Sequence, residues 1–164
     1  MSDLIIRALH PVMDRPALTD LLTEAADYYR LWLGRPPSED EVTDALTAAP
    51  PGCDPAQSHR LGLHMNARLS GVAELSFGYP AAGDAFLGLM IVAPHARSAG
   101  NGATFHSHIL TLARGRGCPR IYLGVLDANP RGWAFWERQG YARTGITRVD
   151  GKTGHLLHRL VRPV

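Results

Sequence analysis

The stretch Phe86-Leu87-Gly88-Leu89-Met90-Ile91-Val92-Ala93-Pro94-His95-Ala96-Arg97-Ser98-Ala99-Gly100-Asn101-Gly102 joins an apolar run to two closely spaced glycines. Phe86 to Val92 has the length and composition of a buried strand. Residues 103–114 then recur at helical spacing, with Phe105, Ile109, Leu112 and Ala113 roughly on one face. Small residues where a strand passes into a helix let backbone N–H groups approach a phosphate, and the helix dipole favours its charge. Arg97 adds a cation at the rim, so the turn reads as a pyrophosphate cradle. Two nucleotide loops are excluded by residue identity. The chain has no Gly-Lys-Ser/Thr triplet, and Gly100-Asn101-Gly102-Ala103-Thr104-Phe105 fails the G-x-G-x-x-G pattern at Phe105.

Upstream, Leu4 to Leu9 reads as a strand, and Leu18, Leu21, Leu22, Ala25, Tyr29 and Trp32 as one helix stopped at Gly34. Ser38 and Glu41 form a capping-box pattern, with Val42, Ala45 and Leu46 inward. Two strands flank a turn near Asn66-Ala67-Arg68. On the second, alternation groups Leu69, Gly71, Ala73, Leu75 and Phe77 against Val72, Glu74 and Ser76. Downstream, Ile121 to Leu126 is a strand, Asn129-Pro130 opens a helix that stops at Gly140, and an Asp150-Gly151 turn closes a final hairpin. Strands on both sides of helices, with antiparallel hairpins, imply a mixed α/β sheet in a single domain spanning residues 1–164.

Composition limits the function classes. The 164 residues are 45% apolar and 20% charged, as in ordinary globular proteins. A net charge of +2 is too small to argue for nucleic acid or an anionic membrane. No apolar run approaches the roughly 20 residues of a membrane helix, and Met1-Ser2-Asp3-Leu4 lacks a secretory start, so a cytoplasmic protein is expected. Cys53 and Cys118 are far apart and outside any CxxC pattern, which favours reduced thiols. Sixteen of the seventeen basic residues are arginine, a bias that weakens any single Arg as a signal. His106/His108, His59/His64 and His155/His158 have spacings that point each pair apart, so no metal site is expected.

Arg97-Ser98-Ala99-Gly100-Asn101-Gly102 resembles the Arg/Gln-x-x-Gly-x-Gly/Ala signature of GNAT acyltransferases, and Ile91-Val92-Ala93-Pro94 resembles the strand and proline leading into it. A second block, from Val125-Leu126-Asp127-Ala128-Asn129-Pro130-Arg131 to Phe135-Trp136-Glu137-Arg138-Gln139-Gly140-Tyr141, resembles the family's later strand–helix–Gly-aromatic unit. The resemblance implies a mostly antiparallel sheet of about six to seven strands with helices on both faces. That sheet is splayed at a central parallel pair, between the strands ending at Val92 and Leu126. It also implies acetyl-CoA as co-substrate, with an acetyl group moved to a small-molecule or peptide amine. Met90, Ile91 and Val92 would pair with the pantetheine like an added strand. Arg97, Ser98, Ala99, Gly100, Asn101, Gly102 and Ala103 would hold the pyrophosphate, and Arg138 the nucleotide end. Asn129 would touch the pantetheine arm or serve only as a helix cap, and the C-terminal hairpin would offer a homodimer surface.

Direct attack needs a neutral amine. Deprotonating a lysine of pKa ~10.4 at pH 7 costs roughly 4–5 kcal/mol, against about 1 for an α-amine near ~8. Glu74 is the candidate base, directly or through a water, since it is the only acid placed mid-strand near the splay; Asp84 is the second choice. Many relatives carry a tyrosine acid where Trp136 stands, and an indole N–H cannot replace it. Water, Tyr141 or Tyr122 would then supply the proton, while Trp136 packs against the pantetheine or the core. Gly124 stands where some members have an acid. Tyr28, Tyr29 and Trp32 are either core or the wall of an acceptor pocket. An acetyl-CoA-binding regulatory module on the same fold is the alternative function.

Overall fold

A computed structural model describes residues 3–164. Its strands are β1 (Leu4–Ala8), β2 (His59–Met65), β3 (Arg68–Phe77), β4 (Ala85–Val92), β5 (Arg120–Leu126), β6 (Ala142–Val149) and β7 (Leu156–Pro163). The helices are α1 (Arg15–Glu24), α2 (Ala26–Leu33), α3 (Glu39–Thr47), α4 (Asn101–Gly115) and α5 (Pro130–Arg138). One sheet runs in the order β1-β2-β3-β4-β5-β7-β6. Only β4 and β5 are parallel; every other neighbouring pair is antiparallel. This is the mixed, mostly antiparallel sheet that the sequence implies.

Two apolar layers sandwich the sheet. On one face Phe105, Ile109 and Ala113 of α4, with Trp133 and Trp136 of α5, pack on Ala73, Leu75, Leu87 and Leu123. On the other, Leu18, Leu21 and Leu22 of α1, Tyr29 of α2 and Val42 and Leu46 of α3 pack on Leu69, Val72 and Ile91. The capping box is present: Ser38 N donates to Glu41 Oε1 at 2.9 Å, and Asp40 N donates to Ser38 Oγ at 3.3 Å. No helix among the described residues is long and apolar enough to cross a membrane.

Local structure departs from simple periodicity in several places. The single helix expected from Leu18 to Gly34 is two, broken at Ala25 (φ −88°, ψ 26°). No Gly or Pro marks the break, and the buried positions continue at helical spacing through it, so periodicity alone runs past it. Gly34 does end α2, with φ 71°. Leu69 packs beside Val72 rather than with Ala73 and Leu75, against the expected alternation. Here β2 pairs Leu63 with Gly71 but His64 with Leu69, leaving Ser70 as a bulge that exchanges the two faces. Ser70 is pinned by its hydroxyl to His95 Nε2 at 3.0 Å, and His95 Nδ1 meets Glu24 at 2.6 Å. α4 begins at Asn101, two residues before the expected start. The last hairpin has a loop over residues 150–155 instead of a two-residue turn. Asp150 organises it by accepting from Lys152 N, Thr153 Oγ1 and the Trp32 indole of α2.

A second bulge matters more for function. β3 pairs Glu74 with Leu89 but Leu75 with Leu87, so Gly88 is the unpaired extra residue on β4. On its other side β4 pairs with β5 only over Ala85–Leu87 and Ile121–Leu123. From Gly88 and Gly124 onward the two strands part.

Candidate active site

The parting of β4 and β5 opens a cleft of about 740 Å³ that passes through the sheet. Met90, Ile91, Val92, Gly88 and Leu89 line one wall, Val125 and Leu126 another. Phe135, Trp136 and Arg138 of α5 close one side, while Tyr28 and Leu31 of α2 reach in from the other. Beyond Leu87 the edge of β4 that faces β5 has no strand partner, so its backbone groups are available to an extended, amide-bearing ligand.

At one end the cleft meets the N-terminus of α4. Ser98 (φ 66°) and Gly100 (φ 78°) take left-handed conformations that fold the loop back on the helix. Gly100 is the N-cap and supplies no side-chain cap, which leaves the first-turn N–H groups unpartnered at the positive end of a 15-residue helix. Arg97, Ser98, Gly100, Gly102 and Ala103 line the cleft. Ala99 and Asn101 do not. The Asn101 side chain is buried and its Nδ2 donates to Ala96 O at 2.8 Å, so the side chain holds the loop. Gly102 packs closely: a Cβ there would stand 3.0 Å from the Phe135 ring, which would have to give by a few tenths of an ångström.

Arg97 reaches the rim but is not the free cation that the motif suggests. Its Nε donates to Val92 O at 2.8 Å, and its two terminal nitrogens grip Asp27 of α2 at 2.6 and 3.1 Å. Asp27 also receives Arg131 of α5 at 3.2 Å. These contacts, the Arg97 hydrogen bond foremost, hold the Asp27 carboxyl below its usual pKa. Asn129 is both cap and free donor. Its Oδ1 accepts from Gly132 N at 3.0 Å, whereas Nδ2 has no partner among the described residues and the residue lines the cleft. Trp136 packs edge-on against His106 and Tyr141 while its other side borders the cleft.

A second, smaller cavity of about 240 Å³ lies on the α3 side of the sheet. Gly88, Leu123, Gly124 and Leu157 line both cavities, so the spaces adjoin where the strands begin to part. Glu74 borders the smaller one, is 5% exposed, and lies directly over Gly88. Burial pushes its carboxyl pKa up, and the Ser76 hydroxyl donating to it opposes this in part. Arg60 does not pair with it, because its guanidinium donates to Ala45 O and Ala48 O instead. Among the described residues Glu74 is thus a buried carboxylate that makes no salt bridge, its burial offset only in part by the Arg60 charge opposite it on β2, and it lies beside the junction of two cavities.

The other acid–base candidates fall away. Asp84 is buried in the β3–β4 turn, where it accepts from Ala81 N at 3.2 Å, and it borders neither cavity. Tyr141 is buried in the core and its hydroxyl meets His106 Nε2 at 2.8 Å; Tyr122 lines neither cavity either. Burial holds the Tyr141 phenol above its usual pKa and pushes His106 down to about 4. Tyr141→Phe is therefore expected to leave kcat unchanged. It should lower stability by about 1–3 kcal/mol, read by urea unfolding, because His106 loses its partner in the core. Tyr29 is core, whereas Tyr28 borders the cleft and Trp32 anchors the last hairpin. No group of three or more His, Cys, Asp or Glu among the described residues is arranged to hold a metal.

Two residues that shape the site were not expected from sequence: Gly88 and Asp27. Gly88 carried a signal, since a glycine inside an apolar strand marks a bulge or a close approach. Asp27 carried none, because a partner so distant in sequence is set by topology.

A family model of the acetyltransferase (GNAT) family matches residues 18–141. Comparison with curated proteins gives no match. Among solved structures, an acetyltransferase from Thermus thermophilus superposes with a TM-score of 0.74 at 27% identity, covering 98% of this chain and 97% of that one. An N-acetyltransferase from Staphylococcus aureus gives 0.72 at 14% identity, covering 98% of each chain. The PaiA N-acetyltransferase from Thermoplasma acidophilum, solved in complex with coenzyme A, gives 0.68 at 17%, covering 96% of this chain and 98% of that one. With the motif blocks, the splayed parallel pair and the family model over most of its length in agreement, the chain belongs to the acetyltransferase (GNAT) family.

Proposed function

We propose that this chain is an acetyl-CoA-dependent N-acetyltransferase that moves an acetyl group to a primary amine by direct attack on the thioester, with Glu74 as the base. The observation that carries this reading is the position of Glu74. It is buried and without an ion-pair partner, over the glycine at which a long cleft and a small cavity meet. The long cleft suits an extended ligand with an anionic end. It has an unpaired strand edge at Met90–Val92, a spare amide donor on Asn129, and uncapped helix N–H groups at the far end. The relative solved with coenzyme A has the same fold, which supports that ligand here.

Acetyl-CoA supplies an acetyl group already activated as a thioester. Transfer forms the N–C bond and breaks the C–S bond, the electron pair going with sulfur and the proton lost by nitrogen going to Glu74. Burial raises the Glu74 pKa and so makes it a stronger base than an exposed glutamate. None of the tyrosines expected to donate a proton is available: Tyr141 is engaged with His106, Tyr122 lines neither cavity, and Trp136 on the cleft has only an indole N–H. A thiol of pKa ~8.5 leaves as thiolate for only about 2 kcal/mol at pH 7, so water suffices. The same lack of an acid favours the second reading, a module that binds acetyl-CoA without transferring from it.

Titration calorimetry and thiol release together separate these readings. Saturable binding of acetyl-CoA with thiol released on addition of an amine supports the enzyme. Binding with no release across primary amines identifies the module, and absence of binding at millimolar ligand overturns both.

A further inference from the structure

The smaller cavity carries charge at two ends. Resting on the reading of Glu74 above, we infer that the acceptor is a small primary amine that also bears a carboxylate, of the amino-acid class. In this arrangement its nitrogen sits at Glu74 and its carboxylate at Arg159 and Tyr79.

Strand register puts these groups in one row. Glu74 of β3 lies over Gly88 of β4; Gly88 follows Leu87, which pairs with Leu123, and the next residue of β5, Gly124, pairs with Arg159 of β7. Two glycines thus form a bare floor between an acidic and a basic side chain. With paired strands about 4.8 Å apart, three steps separate the two backbones by at least roughly 14 Å, the β4–β5 step widening where the strands part, and both side chains shorten that gap. Arg159 reaches back toward β4: Nη2 donates to the Tyr79 hydroxyl at 2.6 Å, and the Tyr79 ring packs edge-on against Phe86 at 5.0 Å. All three residues line the cavity.

Arg159 has no carboxylate partner among the described residues, and its remaining N–H groups are unused. Because the Tyr79 hydroxyl accepts from Arg159, its own proton is left to donate. Arg148, exposed at the same rim, adds a second cation, and the nearby Asp150 is already held by Trp32, Thr153 and Lys152 N. His158 also lines the cavity but is paired with Asp127 at 2.7 Å. A planar guanidinium beside a phenol hydroxyl suits a carboxylate. At about 240 Å³ the cavity is smaller than the roughly 300–1,000 Å³ of sites for drug-sized ligands. Volume and charge together point to a zwitterion of a few non-hydrogen atoms with a modest apolar part against Leu157 and Ile146.

The test measures thiol release with matched triplets: an α- or ω-amino acid, its carboxamide, and the amine without the carboxylate. O-phosphoethanolamine supplies a phosphate in place of the carboxylate. The carboxylate-bearing member of a triplet is expected to have kcat/KM at least about tenfold above its two neutral counterparts, chiefly through KM. Arg159→Gln is expected to collapse that ratio toward one. Tyr79→Phe, which keeps the aromatic packing, should lower the same ratio severalfold and guards against misfolding of the arginine variant. Equal or better turnover of the neutral amines, preference for the phosphate compound, or a ratio unchanged in both variants overturns the inference while leaving Glu74 in place. If acetyl-CoA binds but no amine of any kind releases thiol, the transferase reading itself fails and this inference falls with it.

Discussion

Glu74→Gln lowers kcat/KM for amine acetylation by about 10²–10⁴-fold while acetyl-CoA still binds. The substitution keeps the side chain's shape and its bond from the Ser76 hydroxyl, and it removes only the capacity to take a proton. The size of the loss depends on the acceptor. An α-amine near pKa ~8 is partly neutral at pH 7 and needs less help than an amine near ~10.4. The wild-type rate should rise with pH through the Glu74 pKa. That limb lies above the ordinary glutamate range, because burial raises the pKa; in the variant it disappears. Stability moves the other way. A group whose folded pKa is raised holds its proton more tightly when folded, so stability is highest below the unfolded pKa and falls as pH climbs through the folded one. Removing this cost should leave Glu74→Gln no less stable than wild type at neutral pH by urea unfolding. A variant of wild-type activity, or an unchanged acidic limb, would place the base elsewhere.

Gly88→Ala reduces kcat nearly as far as loss of Glu74 itself, although no chemical group is removed. A methyl at Gly88 would overlap Glu74 Oε2 and stand 3.3 Å from its Cδ. The carboxylate is the free end of a side chain, so it yields first and swings off the junction of the two cavities. Since the obstruction is side chain rather than backbone, folding should cost no more than about 1–3 kcal/mol. Acetyl-CoA binding, read by calorimetry, should persist. Gly124→Ala is the control for the fold, since the nearest atom to a Cβ there is Leu157 Cδ2 at 4.0 Å. If Gly88→Ala turns over normally, the contact between Glu74 and the bulge has no part in catalysis.

Much of this protein is legible from residue identity. The apolar run at 86–92, the glycines at 100 and 102 and the block from Asn129 to Tyr141 fix the strand–loop–helix order that positions a cofactor cleft. These signals are local: strand length, a left-handed glycine, an Asn-Pro helix start. The placement of Glu74 was also legible, as the acid set mid-strand near the expected splay, whereas the lack of a salt bridge from an arginine was not. Side-chain commitments were not reachable. Arg97 looks like a free phosphate ligand in sequence, yet Asp27, 70 residues away, claims both its terminal nitrogens. Tyr141 looks like a spare acid, yet His106 buries it in the core.

Sequence alone therefore determined the family fold, the glycine loop at residues 97–102 and the placement of an acid mid-strand beside the splay. Tertiary structure alone decided which of the neighbouring charges are spent and which are free. The bulges at Ser70 and Gly88 slip the register by one residue each, and no alternation pattern announces them. The slip at Gly88 sets Glu74 over a glycine. The pairing of Gly124 with Arg159 across β5 and β7 places an unanswered cation at the far end of the same row. Register is a relation between strands, so it is written in no single segment, and it alone brings the two charges to opposite ends of one small cavity.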